Sequence, residues 1–169
     1  HSVVCLLRAC LIICLVSLVQ SCAKPVDGLN QLAVERGFQQ GSVRAGGYDL
    51  MVYTHQAALA KGQALKGARN SILHVYLEGD GSPWFKRVLV MRDPTPRSPL
   101  MLKLMALDPE PSVYLGRPCY NGTFDAKGCS ARIWTSGRYS SAVVNSMAEA
   151  IHGLADRLGA SELRLFGHS

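Results

Sequence analysis

The sequence has no run of lysine and arginine and no basic stripe interleaved with aromatics, although its formal charge is +6. Its cations are scattered, as at Arg36, Arg44, Lys61, Lys66 and Arg92. Nucleic-acid recognition needs phosphate-neutralising groups gathered on one surface, so that class is set aside. Also missing are a Cys-x-x-Cys motif and a histidine beside the Cys119 and Cys129 pair, which argues against zinc. No internal repeat and no low-complexity segment occurs, so a solenoid is not expected. The apolar run from Ala9 to Val19 is too short to span about 30 Å of hydrocarbon as a helix.

That run instead fits the core of a signal peptide, with Arg8 as its positive flank. It leads into "VQSC", Val19 to Cys22, which is similar to the bacterial lipobox, in which a small residue precedes an acylated cysteine. Ser21 and Val19 fit, and Gln20 departs from the usual small or aliphatic residue. The expectation is a leader over 1–22, a lipid on Cys22 and a protein held on the membrane of the bacterial envelope. An ordinary cleaved leader and a periplasmic or secreted soluble protein is the alternative. Cys119 and Cys129, ten residues apart in "CYNGTFDAKGC", are then expected to form a disulfide in an oxidising compartment.

Residues 23–47 are polar, glycine-bearing and weakly patterned, and read as a tether with a first short element. From 48 to 169 the order is strand "YDLMVYTH", connection "QAALAKGQALKGARN", strand "SILHVYL", helix "SPLMLKLMALD", strand "SVYLG", helix, strand "ELRLF". The second helix, "YSSAVVNSMAEAIHGLADRLG", sets Val143, Met147, Ile151, Leu154 and Leu158 on one stripe. Ser140 or Ser141 is suited to begin it and Gly159 to end it. This alternation predicts an α/β domain with a largely parallel sheet.

Ligands of open α/β sheets sit at the carboxyl ends of strands. Two such ends carry unusual residues. "LEGDG" places glycines around Asp80, which permits a tight turn with amides left to face an anion. "FGHS" puts Gly-x-Ser directly after a strand, the first half of a nucleophile elbow.

Together "HVYLEGDGSPW", "RDPTPRSP", "LKLMALDPEPSVYLGRPCY", "IWTSGRYSSAVVNSM" and "LRLFGHS" resemble exported α/β-hydrolase-fold proteins of proteobacteria, over roughly Tyr48 to Ser169. The resemblance implies that Ser169 is the nucleophile and that amides around Gly79, Asp80 and Gly81 bind the oxyanion. The second oxyanion donor would be the residue after Ser169, and the chain would be the N-terminal fragment of the fold. The acid and histidine would follow the serine, so His55, His74, His152 and His168 are not assigned as the base, and the fragment alone is expected to be inactive. A small acyl substrate, no cofactor, no metal and no nucleic acid belong to this reading. Its competitor is a non-catalytic membrane lipoprotein with a binding or structural role, in which Trp84 and Trp134 line a pocket or simply pack.

Overall fold

The computed structural model describes residues 24–55 and 71–168. Cys22 and the leader, the connection at 56–70 and Ser169 lie outside the described residues.

Residues 24–47 are folded, where the sequence suggests a tether. Helix α1, Pro25–Glu35, begins with proline in its first turn, where the missing N–H costs nothing. The Asp27 carboxylate accepts the Lys24 amide at 3.1 Å, closing that end. Strand β1, Phe38–Ala45, turns through Gly46 and Gly47, both with positive φ, into β2, Tyr48–His55. The eight residues of β1 pair antiparallel with β2 along their whole length.

The chain continues with β3 (Ile72–Leu77), a small hairpin of β4 (Trp84–Phe85) and β5 (Leu89–Val90), and helix α2 (Leu100–Met105). Then come β6 (Ser112–Leu115), a single turn α3 (Ala131–Trp134), the long helix α4 (Ser141–Leu158) and β7 (Glu162–Gly167). Gly159 ends α4 in the left-handed conformation, as expected of a C-terminal glycine. Ser140 stands at the start of α4 but makes no side-chain capping bond.

The sheet order is β1-β2-β6-β3-β7. β6–β3 and β3–β7 are parallel, whereas β1–β2 and β2–β6 are antiparallel. The sheet is therefore mixed, not largely parallel. The Gly46–Gly47 turn accounts for the first antiparallel pair by folding β2 back on β1. Among the described residues β7 is an edge strand, not the central one its position in the motif suggests.

Both faces of β3 are covered. Leu73 and Val75 join Val52, Val113, Ile151 and Leu154 under α4. On the other face Tyr76 joins Tyr53, Tyr114, Met101, Leu102 and Leu29 under α1 and α2. A third cluster, Cys119, Tyr120 and Trp134, sits beneath the loop after β6. Cys119 and Cys129 are disulfide-bonded there, and the Trp134 indole donates to Met91 O at 3.0 Å.

Closing a loop of sequence separation 10 stabilises by about 2–3 kcal/mol through the unfolded state. Replacing both cysteines by serine should lower the urea-derived stability by that amount, and an unchanged midpoint would contradict the assignment. Among the described residues no helix is long and apolar enough to cross a membrane.

Candidate functional site

β3 and β7 run side by side and in parallel, with Leu77 opposite Gly167, so the chain leaves both strands at the same edge of the sheet. The ladder extends one step further, because the His168 amide donates to Leu77 O at 3.2 Å. Here the Glu78–Gly81 turn meets the end of β7. A Cβ on Gly79 would lie 3.0 Å from both the carbonyl oxygen and Nδ1 of His168, tighter than ordinary contact. A side chain at 79 would require His168 to give by a few tenths of an ångström. Gly81 has φ +64°, and a Cβ there would overlap Pro94 O.

Asp80 is held from several directions. Its Oδ1 accepts Arg117 Nη1 at 2.6 Å and the Tyr139 hydroxyl at 3.0 Å, and Arg138 Nε lies 2.8 Å from Oδ2. Its backbone oxygen accepts the Tyr120 hydroxyl at 3.0 Å. Arg117, with a side chain only 10% exposed, also donates to Arg138 O and stacks near the Tyr120 and Tyr139 rings. The carboxylate is thus committed to fixing the turn. The amides of Asp80 and Gly81 have no acceptor among the described residues. A turn pinned through its side chain and carrying two unengaged N–H groups can receive an anionic or strongly polarised oxygen.

Glu78 is the residue that sequence reasoning passed over. It is 7% exposed, and its Oε2 accepts the Met101 amide at 3.0 Å, satisfying a first-turn N–H of α2 that Pro99 cannot cap. Its Oε1 lies 3.4 Å from the Gly79 amide and 3.7 Å from His168 Nδ1. Burial pushes the Glu78 carboxyl above its ordinary value, against the pull of the Met101 and Gly79 amides and of the His168 and Lys103 charges. The only signal in the sequence was an acid ending a continuous apolar run.

Because the folded state raises this acid, its contribution is fully present below the unfolded value of 4.5 and is lost as pH rises through the folded value. Glu78→Gln keeps an acceptor for Met101 but cannot ionise. Its stability relative to the parent should improve as pH increases from 4 to 8, read from urea midpoints. A difference constant across that range would refute the shift.

A second polar cluster lies further back along β3, on the face covered by α2. His74 Nδ1 is 2.6 Å from Asp108 Oδ2, and the Tyr76 hydroxyl donates to the same oxygen at 2.8 Å. Burial works to raise Asp108, but the Glu110 amide, His74 and Tyr76 outweigh it and hold the carboxyl below its ordinary range. Phe166 stacks on Tyr76 with ring centroids 4.8 Å apart. Alternation along β3 puts Tyr76 and His74 on the same side as Glu78, one and two strand steps before it.

The structure therefore brings Gly79, Asp80 and Gly81 to the end of β7, while Cys119 and Cys129 sit apart in the loop cluster. Trp134 packs in that cluster, whereas Trp84 is 43% exposed on the small hairpin. His152 is an exposed residue of α4. An open groove of about 500 Å³ runs from Arg117 and Arg138 along Val144, Met147 and His168. Among the described residues no group of three or more His, Cys, Asp or Glu is placed to hold a metal ion. Comparison of the chain with protein-family models, with curated proteins and with solved structures finds no match.

Proposed function

We propose that this edge of the sheet is the acyl-transfer site of an envelope-anchored serine hydrolase of α/β-hydrolase type, with Ser169 as nucleophile. The observation that carries the reading is the close approach of Gly79 to His168. Ser169 follows His168 directly in the sequence, and His168 is the described residue that meets the turn whose amides would bind the oxyanion.

The chemistry runs as an acyl transfer. The Ser169 hydroxyl attacks the carbonyl carbon of an ester while a histidine takes its proton. The carbonyl oxygen becomes an oxyanion held by the Asp80 and Gly81 amides. Collapse expels the alcohol, which receives that proton from the histidine, and water then releases the acid by the same route. In α/β-hydrolases the acid and the histidine follow the serine in the chain, so no histidine up to residue 168 is given the base role. An ionised Glu78 beside the hole would oppose the oxyanion, and its upward shift weakens that opposition. The groove beside Met147 offers an apolar surface for the acyl group.

The protein as its own cells make it should react with a fluorophosphonate at Ser169. Labelling should vanish in Ser169→Ala and slow several-fold in Gly79→Ala, where His168 must give by a few tenths of an ångström. No labelling of the parent, or labelling that survives Ser169→Ala, would leave a non-catalytic lipoprotein instead. The anchor is checked separately, since palmitate incorporated by the parent should be absent from Cys22→Ser.

A further inference from the structure

The β4–β5 hairpin is an exposed apolar and cationic element beside the site. Phe85 is 52% and Leu89 61% exposed on a pair of two-residue strands, and Val88, in the turn between them, is 81% exposed. Antiparallel pairing sets Phe85 opposite Leu89, on the same face. The tip is Lys86–Arg87, both left-handed with φ 50° and 63°, and closed by the Val88 amide donating to Phe85 O at 3.2 Å. Such a turn favours Asn-Gly, and side chains at these angles are strained. Two long cations therefore occupy positions where turn stability alone would select other residues. Strain kept at one place is a pointer to use.

We propose that this hairpin docks on an anionic lipid surface, entering the headgroup layer tip first. Phe85 and Leu89 on one face, Trp84 and Val90 on the other, and Val88 at the turn supply apolar contact at the acyl boundary, and Trp84 is of the type enriched at that depth. The Lys86 and Arg87 stems are long enough to reach phosphates while their methylenes stay on the apolar side. From Ser82 to Arg92 the chain has no carboxylate, and the formal charge of the whole is +6, so the field favours an anionic surface. Arg92 is already paired with Asp125 at 2.7 Å, which leaves the two tip residues as the docking charges. A second protein copy is the less suited occupant, because strands two residues long present almost no edge for pairing. This inference stands independently of the hydrolase reading.

Trp84 is the natural reporter, since Trp134 is only 4% exposed. With vesicles of phosphatidylcholine and phosphatidylglycerol at about 3:1, Trp84 emission should shift to the blue and be quenched by brominated lipid. Neither response should occur with pure phosphatidylcholine, in high salt, or in Trp84→Phe. Following Trp84 itself separates the hairpin from any attachment through the N-terminal segment.

The deciding variant is Lys86→Asn with Arg87→Gly. It relieves the turn, so thermal stability should hold or rise, yet it should weaken the response about 25-fold through the two lost cations. Leu89→Ser should also reduce it. An unshifted Trp84, a response that this double variant retains, or a shift that follows protein concentration without vesicles would overturn the proposal. The last result would point to self-association.

Discussion

Asp80→Ala is expected to destabilise the fold by about 2–4 kcal/mol, lowering the thermal midpoint by roughly 5–12 °C. The carboxylate sits between two guanidinium groups, Arg117 at 2.6 Å and Arg138 at 2.8 Å. Arg117 is nearly buried, and the same group donates to Arg138 O, so it cannot turn away to water without breaking that bond as well. Removing the carboxylate leaves two like charges together with no counterion between them. A fully buried pair would lose about 3–5 kcal/mol, and the partial exposure of Asp80, 31% at its side chain, reduces the figure. Asp80→Asn keeps oxygen and shape, and should lose roughly half as much. The comparison is made by urea unfolding of both variants, and equal losses would show that charge is not the cause.

Gly81→Ala should remove about 3 kcal/mol by a different route. The residue has φ +64°, where any side chain meets its own backbone at a cost of about 1 kcal/mol or more. Its Cβ would also overlap Pro94 O and come 3.1 Å from the Pro96 nitrogen. Pro94 O is the acceptor for the Ser82 amide at 2.9 Å, so moving that oxygen aside breaks the bond that closes the turn. Gly47→Ala provides the control: φ is +84°, but nothing lies within 4 Å of a Cβ, so the loss should be limited to the backbone term of about 1 kcal/mol. Thermal melts that rank the two equally would remove the steric part of the account.

Much of the fold was legible where one side of an element is consistently apolar. Helix α4 declared itself through Val143, Ile151 and Leu154, which are buried as their spacing predicts. β3 was legible because an unbroken apolar run needs cover on both faces. β1 was not, since Gln39, Gln40, Gly41 and Ser42 are all exposed and give an edge strand no alternating pattern. The hairpin was missed because Lys86 and Arg87 are not the residues that its turn normally takes. Strand direction was misjudged because burial of a strand says nothing about which way its neighbours run.

At the site, the glycine turn could be read locally, but its fixation could not. Arg117 and Tyr139 stand 37 and 59 residues from Asp80 in the chain, and only folding brings them to it. The same holds for His74 and Asp108, separated by 34 residues. A polar cluster assembled from distant segments leaves no spacing rule in any one of them.

β7 pairs with β3 alone among the described residues, and along its outer rim Leu165 is 56% and Phe166 38% exposed. A bare rim of this kind, with two apolar side chains open beside the Glu162–Arg164 pair, invites molecules to stack rim to rim as concentration climbs. Purified material should therefore cloud on concentrating, and a lysine in place of Leu165 should keep it clear.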